Sequence, residues 1–110
     1  MQYHSLIKVV FMITSYKVFT LPTCIKCPSV KEFLKTSGLL GQEINLKEKE
    51  GLLELRNYYA QVKDKMPPRD AHGNLPLPIV LFFDDRNNIE KVANSLDDVQ
   101  NVLGNSVVKN

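Results

Sequence analysis

The sequence predicts an α/β domain: a four-stranded mixed sheet flanked by helices, with elements in the order β–α–β–α–β–β–α. Three observations lead there. Short runs rich in β-branched and aromatic residues, such as Lys17-Val18-Phe19-Thr20-Leu21 and Ile79-Val80-Leu81-Phe82-Phe83, alternate with longer stretches of helical apolar spacing. The opening β–α–β unit requires parallel strands and a right-handed crossover, whereas the last two strands form an antiparallel hairpin. The two cysteines of the chain lie together in Cys24-Ile25-Lys26-Cys27, where the first strand gives way to the first helix.

One domain accounts for 110 residues. Hydrophobic residues make up 44% and charged residues 24%, ordinary globular usage that can bury a core without disulfide staples. That leaves the cysteines for chemistry. The 14 Lys and Arg against 12 Asp and Glu leave a net charge of +2, too little for a nucleic-acid footprint. Two cysteines at C-x-x-C spacing are not a secreted disulfide scaffold. The apolar residues 6–13 are interrupted by Lys8 and are too short to span a membrane, and no small-residue cleavage site follows them. A monomer in a reducing, cytoplasmic setting is expected, with no membrane or nucleic-acid partner.

In order, residues 1–15 form a lead with three open readings: a later start at Met12, a disordered segment, or an extra edge strand from residues 7–13. The domain proper is expected over residues 16–104, with 105–110 as a tail. Residues 17–21 read as a buried first strand. Pro22 and Thr23 end it. Thr23 is placed to cap the coming helix, and Pro28 suits the first turn, where no N–H partner is lost. Val30, Phe33 and Leu34 share one face of that helix, and Gly38 is its stop. A short second strand follows over residues 42–46. Residues 48–64 form a helix with an apolar stripe of Leu52, Leu55, Tyr59 and Val62, ended by Pro67-Pro68. A turn-rich loop through His72 leads to Pro78 and to the strongest strand, residues 79–83. Asp84-Asp85-Arg86-Asn87-Asn88 turns the chain into a returning strand, residues 89–92. Ser95 caps a last helix whose inward residues are Leu96, Val99 and Leu103, stopped by Gly104-Asn105.

A C-x-x-C at a helix start brings two sulfurs within bridging reach, beside the unpaired N–H groups and positive end that favour a thiolate. Redox chemistry is the first reading. A redox-sensing or partner-binding module uses the same bond without turnover. A metal-binding protein using the same cysteines is the third reading, but zinc needs four ligands and one chain adds only His4 and His72, without ligand spacing, so no metal ligands are assigned.

The element order, the C-x-x-C and a proline directly before the third strand together resemble the glutaredoxin branch of the thioredoxin superfamily, over about residues 16–103. The resemblance implies a thioredoxin-like fold and a thiol–disulfide oxidoreductase that reduces protein or small-molecule disulfides through Cys24 and Cys27, with no bound cofactor. Cys24 would be the nucleophile and Cys27 the resolving thiol. Lys26 would favour the thiolate, and Lys17 would add to this if it faces the pair. Pro78 would match the family's cis-proline, and the backbone of Leu77 the position that pairs with a thiol substrate. Asp97 stands where the family has a substrate-binding Asp at the last helix start. The chain departs from the family in its Ile25-Lys26 dipeptide, its lack of tryptophan, and Ala93-Asn94 in place of a Gly-Gly. The external reductant is therefore open between glutathione and a flavoprotein reductase.

Overall fold

The computed structural model describes residues 13–107. Its elements are β1 (Ile13–Thr20), α1 (Cys27–Lys35), β2 (Leu40–Asn45), α2 (Lys49–Val62), β3 (Ile79–Asp84), β4 (Ile89–Ala93) and α3 (Leu96–Val107), with a 3-10 turn at Lys63–Lys65 after α2. The strands form one sheet in the order β2-β1-β3-β4. β1 pairs in parallel with β2, and β3 runs antiparallel to both β1 and β4. This is an α/β domain with a four-stranded mixed sheet and three helices, and it is compatible with a thioredoxin-like fold.

The side-chain alternation of β1 and β3 divides the core between the two sheet faces. Tyr16, Val18, Val80 and Phe82 pack with Val30 and Leu34 of α1 and with Val99 and Leu103 of α3. Phe19, Ile79, Leu81 and Phe83 pack with Leu55 and Val62 of α2. β3 is covered on both faces, which is why residues 79–83 are apolar without alternation and are all buried.

Several boundaries move from those expected, each for a local reason. β1 starts at Ile13, inside the predicted lead, because its first residues pair with the end of β3, Ser15 opposite Phe83. The remainder of the lead, with its three readings, lies outside the described residues, as do residues 108–110. β2 begins at Leu40 rather than Gln42 and ends at Asn45; beyond it the Leu46 N–H still donates to Thr20 O at 2.8 Å. α1 ends at Lys35, where the Thr36 and Ser37 hydroxyls donate to the carbonyls of Phe33 and Leu34, and Gly38 follows with φ 83°. α3 continues through Gly104-Asn105, so that pair is not a stop. No helix among the described residues is long and apolar enough to cross a membrane.

The buried stripe of α2 is also displaced. It runs through Gly51, Leu55 and Val62, with Tyr58 packed against the same cluster, whereas Leu52 is 50% exposed. Gly51 sets that rotation. A Cβ there would overlap the carbonyl oxygen of Asn45 at the end of β2, so the helix can approach the strand only on this side. A second close approach occurs at Gly41, where a Cβ would overlap the Tyr16 ring lying across it from the neighbouring strand.

These contacts give opposite expectations for two glycines. Alanine at a helical glycine is worth up to about 1 kcal/mol in propensity. At Gly104, where nothing lies within 4 Å of an added Cβ, that gain stands alone, and Gly104→Ala is expected to stabilise the domain. At Gly51 the clash is with backbone, and overpacking of about 1–3 kcal/mol outweighs the propensity, so Gly51→Ala destabilises. Urea unfolding midpoints of the two variants should move in opposite directions.

Candidate active site

The cysteine pair is built by a strand end and a helix start that do not quite meet. After β1 the chain turns through Pro22-Thr23, and the Cys24 N–H donates to Leu21 O at 3.0 Å. α1 opens at Cys27, not Cys24, with Pro28 in its first turn. Lys26 holds the N-cap position with no side-chain cap, so Thr23 falls three residues too early for the capping role its hydroxyl suggested. Cys24 and Cys27 form a disulfide with their Cα atoms 5.5 Å apart, within the normal range. Since Cys27 is the first helical residue, the bond holds the Cys24 sulfur against the helix start although Cys24 lies outside the helix.

The two sulfurs differ in access. Cys27 is 2% exposed, whereas Cys24 is half-buried and lines a cleft of about 600 Å³. Leu77, four further leucines, Ile25, Lys26 and Arg69 share that cleft. A smaller opening of about 250 Å³ reaches both cysteines from the other side, past Lys31 and Glu43, which pair at 2.8 Å.

A second loop meets the pair. The Leu77–Pro78 peptide is cis, Pro78 is buried, and Leu77 lines the cleft. The Leu77 N–H donates to Leu75 O at 2.9 Å. On either side of Leu77 the loop is held by one side chain: Asn94 Nδ2 donates to Pro76 O at 2.9 Å and to Pro78 O at 3.3 Å. Asn94 is itself 8% exposed, and its backbone N–H donates to Asp98 Oδ2, while Ser95 Oγ accepts from the Asp98 N–H, as its capping role required.

The structure thus brings Cys24, Lys26 and Leu77 to one cleft, with Cys27 and Pro78 buried beside it. Asp97 is not brought there: it is exposed in the first turn of α3 and does not line the cleft. Lys17 is directed away from the cysteines, toward α2, where it pairs with Glu54 and lies 5.7 Å from the Tyr58 ring centre. Partial burial would lower the Lys17 pKa, but the Glu54 hydrogen bond and nearby negative charge outweigh it and hold the ammonium above its usual range. His72 is an exposed loop residue, and His4 lies outside the described residues. Among the described residues no group of three or more His, Cys, Asp or Glu could hold a metal ion.

Sequence reasoning missed two residues, Asn94 and Arg69. The Asn94 side chain acts across a sequence separation of 18 residues, and nothing local to it signals that. Arg69 is set by its own loop: its Nη1 donates to Gly73 O at 2.7 Å, and its guanidinium lies 5.8 Å from the Tyr59 ring centre. Asp70 builds the loop, accepting the backbone N–H groups of His72 and Asn74 as well as Asn74 Nδ2.

No protein-family model, no curated protein and no solved structure matches the chain. The fold and site define a small α/β domain with a close C-x-x-C cysteine pair, and this combination is compatible with a thioredoxin-like protein.

Two predictions follow from the loops. Asn94→Ala leaves two carbonyls without their donor and should cost about 1–3 kcal/mol in denaturant unfolding. The Asp70 carboxyl is held below its ordinary range, first by the Asn74 N–H and then by the His72 N–H. Its contribution to loop order is therefore present above the unfolded pKa of about 4 and lost as pH falls through the lower folded value. Asp70→Asn should speed amide exchange at His72 and Asn74 at neutral pH, where wild type stays protected.

Proposed function

We propose that this chain is a glutaredoxin-like thiol–disulfide oxidoreductase of the thioredoxin superfamily, working through the Cys24–Cys27 dithiol. The observation that carries this reading is the cysteine pair itself: one bridged sulfur opens on a cleft while its partner is buried, and the loop that carries Leu75 and Leu77 lines the same cleft.

In the reduced protein the Cys24 thiolate attacks one sulfur of a substrate disulfide. A Cys24–substrate disulfide forms, the substrate S–S bond breaks, and one substrate thiolate leaves. The Cys27 thiol then loses its proton and attacks the Cys24 sulfur. The intramolecular disulfide forms and the second substrate thiolate leaves. Two electrons have passed from the dithiol to the substrate. The difference in exposure supports this order, because the sulfur that meets substrate is the accessible one. Lys26, at the N-cap between the cysteines, adds positive charge where the thiolate develops. An external donor, glutathione or a flavoprotein reductase, returns the pair to the dithiol in a reducing compartment. The substrate is a disulfide-containing protein or small thiol compound, and Leu77 and Pro78 position it. Asp97 is left without a role in this scheme.

A second reading is favoured by Ile25, 93% exposed between the two cysteines: a redox-responsive binding module in which the bond sets the presentation of that tip. Turnover separates the two. Reduction of a model protein disulfide is to be followed with glutathione and its reductase in one arm, and NADPH with thioredoxin reductase in the other. Turnover in either arm establishes the enzyme and names its donor; absence in both, with thiols that still titrate, favours the binding module. Cys24→Ser should reduce turnover to the uncatalysed rate. Cys27→Ser should accumulate a mixed disulfide with substrate, visible as the summed mass. Full activity of Cys27→Ser on a protein disulfide with no other thiol present would sink the two-cysteine mechanism.

A further inference from the structure

The cleft beside Cys24 has a chemical bias that the redox reading does not require. Five leucines and Ile25 line it; among the described residues its only charged ones are the cations Lys26 and Arg69, and none of them brings a carboxylate to it. Neither cation has an ion-pair partner among the described residues, whereas Lys17, Lys31 and Lys35 are each paired with a glutamate. Arg69 is nevertheless held in place, by Gly73 O and by the Tyr59 ring. The adjacent acid, Asp70, does not line the cleft, and its carboxylate is taken up by the N–H groups of its own loop. Leu52, 50% exposed, and Ile25, 93% exposed, extend the apolar lining outward to water.

From this charge complementarity we propose that the cleft selects an extended, acidic protein segment: one whose disulfide cysteine is flanked by apolar side chains and followed by carboxylates that meet Arg69 and Lys26. The inference rests on the redox reading and adds the substrate class to it. A protein segment fits better than a small thiol such as glutathione. The two carboxylates of glutathione would answer the cations, but it has no large apolar side chain to cover the leucines. Arg69 is thereby the specificity-determining residue, since its guanidinium is fixed and offers paired donors to a carboxylate.

The test uses the reduced full chain and two peptides that carry leucines around a cysteine linked to thionitrobenzoate, one with glutamates and one with lysines after the cysteine. Attack by Cys24 on the peptide sulfur breaks that disulfide, joins the peptide to Cys24 and releases coloured thionitrobenzoate. The acidic peptide should react about tenfold faster at low ionic strength, with the gap closing at high salt. Arg69→Glu should reverse the order by accelerating the lysine peptide, a gain that loss of folding does not imitate. The remote control Lys91→Gln should leave the preference unchanged. Equal rates for the two peptides, with the uncharged hydroxyethyl disulfide still reduced, would overturn the inference and leave the redox reading standing. Glutathione disulfide reacting faster than the acidic peptide would overturn the choice of a protein segment. Failure to reduce any of these disulfides, hydroxyethyl disulfide included, would remove the redox reading and the inference with it.

Discussion

The pairing of Phe19 with Ile79 decides where the chemistry of this chain can be. β1 and β3 run antiparallel, so the end of one lies beside the beginning of the other. The end of β1 leads directly to Cys24, and the beginning of β3 is preceded directly by Pro78. The register therefore brings the cysteine turn and the proline loop to the same end of the sheet, although they are more than fifty residues apart in sequence. A slip by one residue would move every side chain of β3 to the opposite face and split both halves of the core. The apolar burial that fixes the register is thus what assembles the site. Phe19, Ile79 and Phe83 on one face and Val18, Val80 and Phe82 on the other have no alternative pairing that keeps them all from water.

Packing alone does not hold a loop in one conformation, and here polar groups complete the work. The segment before β3 has two prolines that donate no N–H, so its carbonyls must find donors elsewhere. Asn94 supplies them from the end of β4 with a single amide. Asn94 is buried and its amide nitrogen has two acceptors, and no buried side-chain N or O among the described residues lacks a partner. A buried amide with two good acceptors gives the loop a defined position, which a hydrophobic residue of the same size would not. The same strand end then passes into α3 through the Ser95–Asp98 cap, so the loop, β4 and α3 are coupled at one corner.

The parts of this arrangement that could be read in advance are those encoded locally. The apolar run at 79–83 announces a strand covered on both faces. The spacing of Val30 and Leu34, or of Val99 and Leu103, announces a helix face, and C-x-x-C beside a strand announces a bridgeable pair. What could not be read depends on residues far apart. The rotation of α2 is set by a backbone oxygen of β2 meeting Gly51, so a stripe counted from apolar spacing had Leu55 and Val62 right but took Leu52 and Tyr59 in place of Gly51 and Tyr58. The direction of Lys17 depends on where Glu54 lies across the sheet face. The start of α1 depended on a turn closed by Leu21 and Cys24, which displaced the cap from Thr23. Asn94 was legible only as a departure from a glycine pattern, and its bonds to Pro76 and Pro78 give that departure a structural meaning.

The charges around the cysteines follow a similar division between paired and available. Lys31 and Glu43 neutralise each other at the smaller opening, and Lys17 is taken up by Glu54 on the α2 side. Among the described residues the cations at the pair without an ion-pair partner are therefore those that line the larger cleft with Cys24, Lys26 and Arg69. In a chain with a net charge of only +2, such an asymmetry is a local property and not a reflection of overall basicity. Exposed unpaired charges contribute little to stability, and screening leaves them weak at long range. Their effect is greatest once a ligand has displaced water from the leucines, where the effective dielectric falls and a carboxylate opposite Arg69 counts for more. Apolar contact and charge recognition in this cleft are then not independent contributions, because covering the leucines is what strengthens the cations.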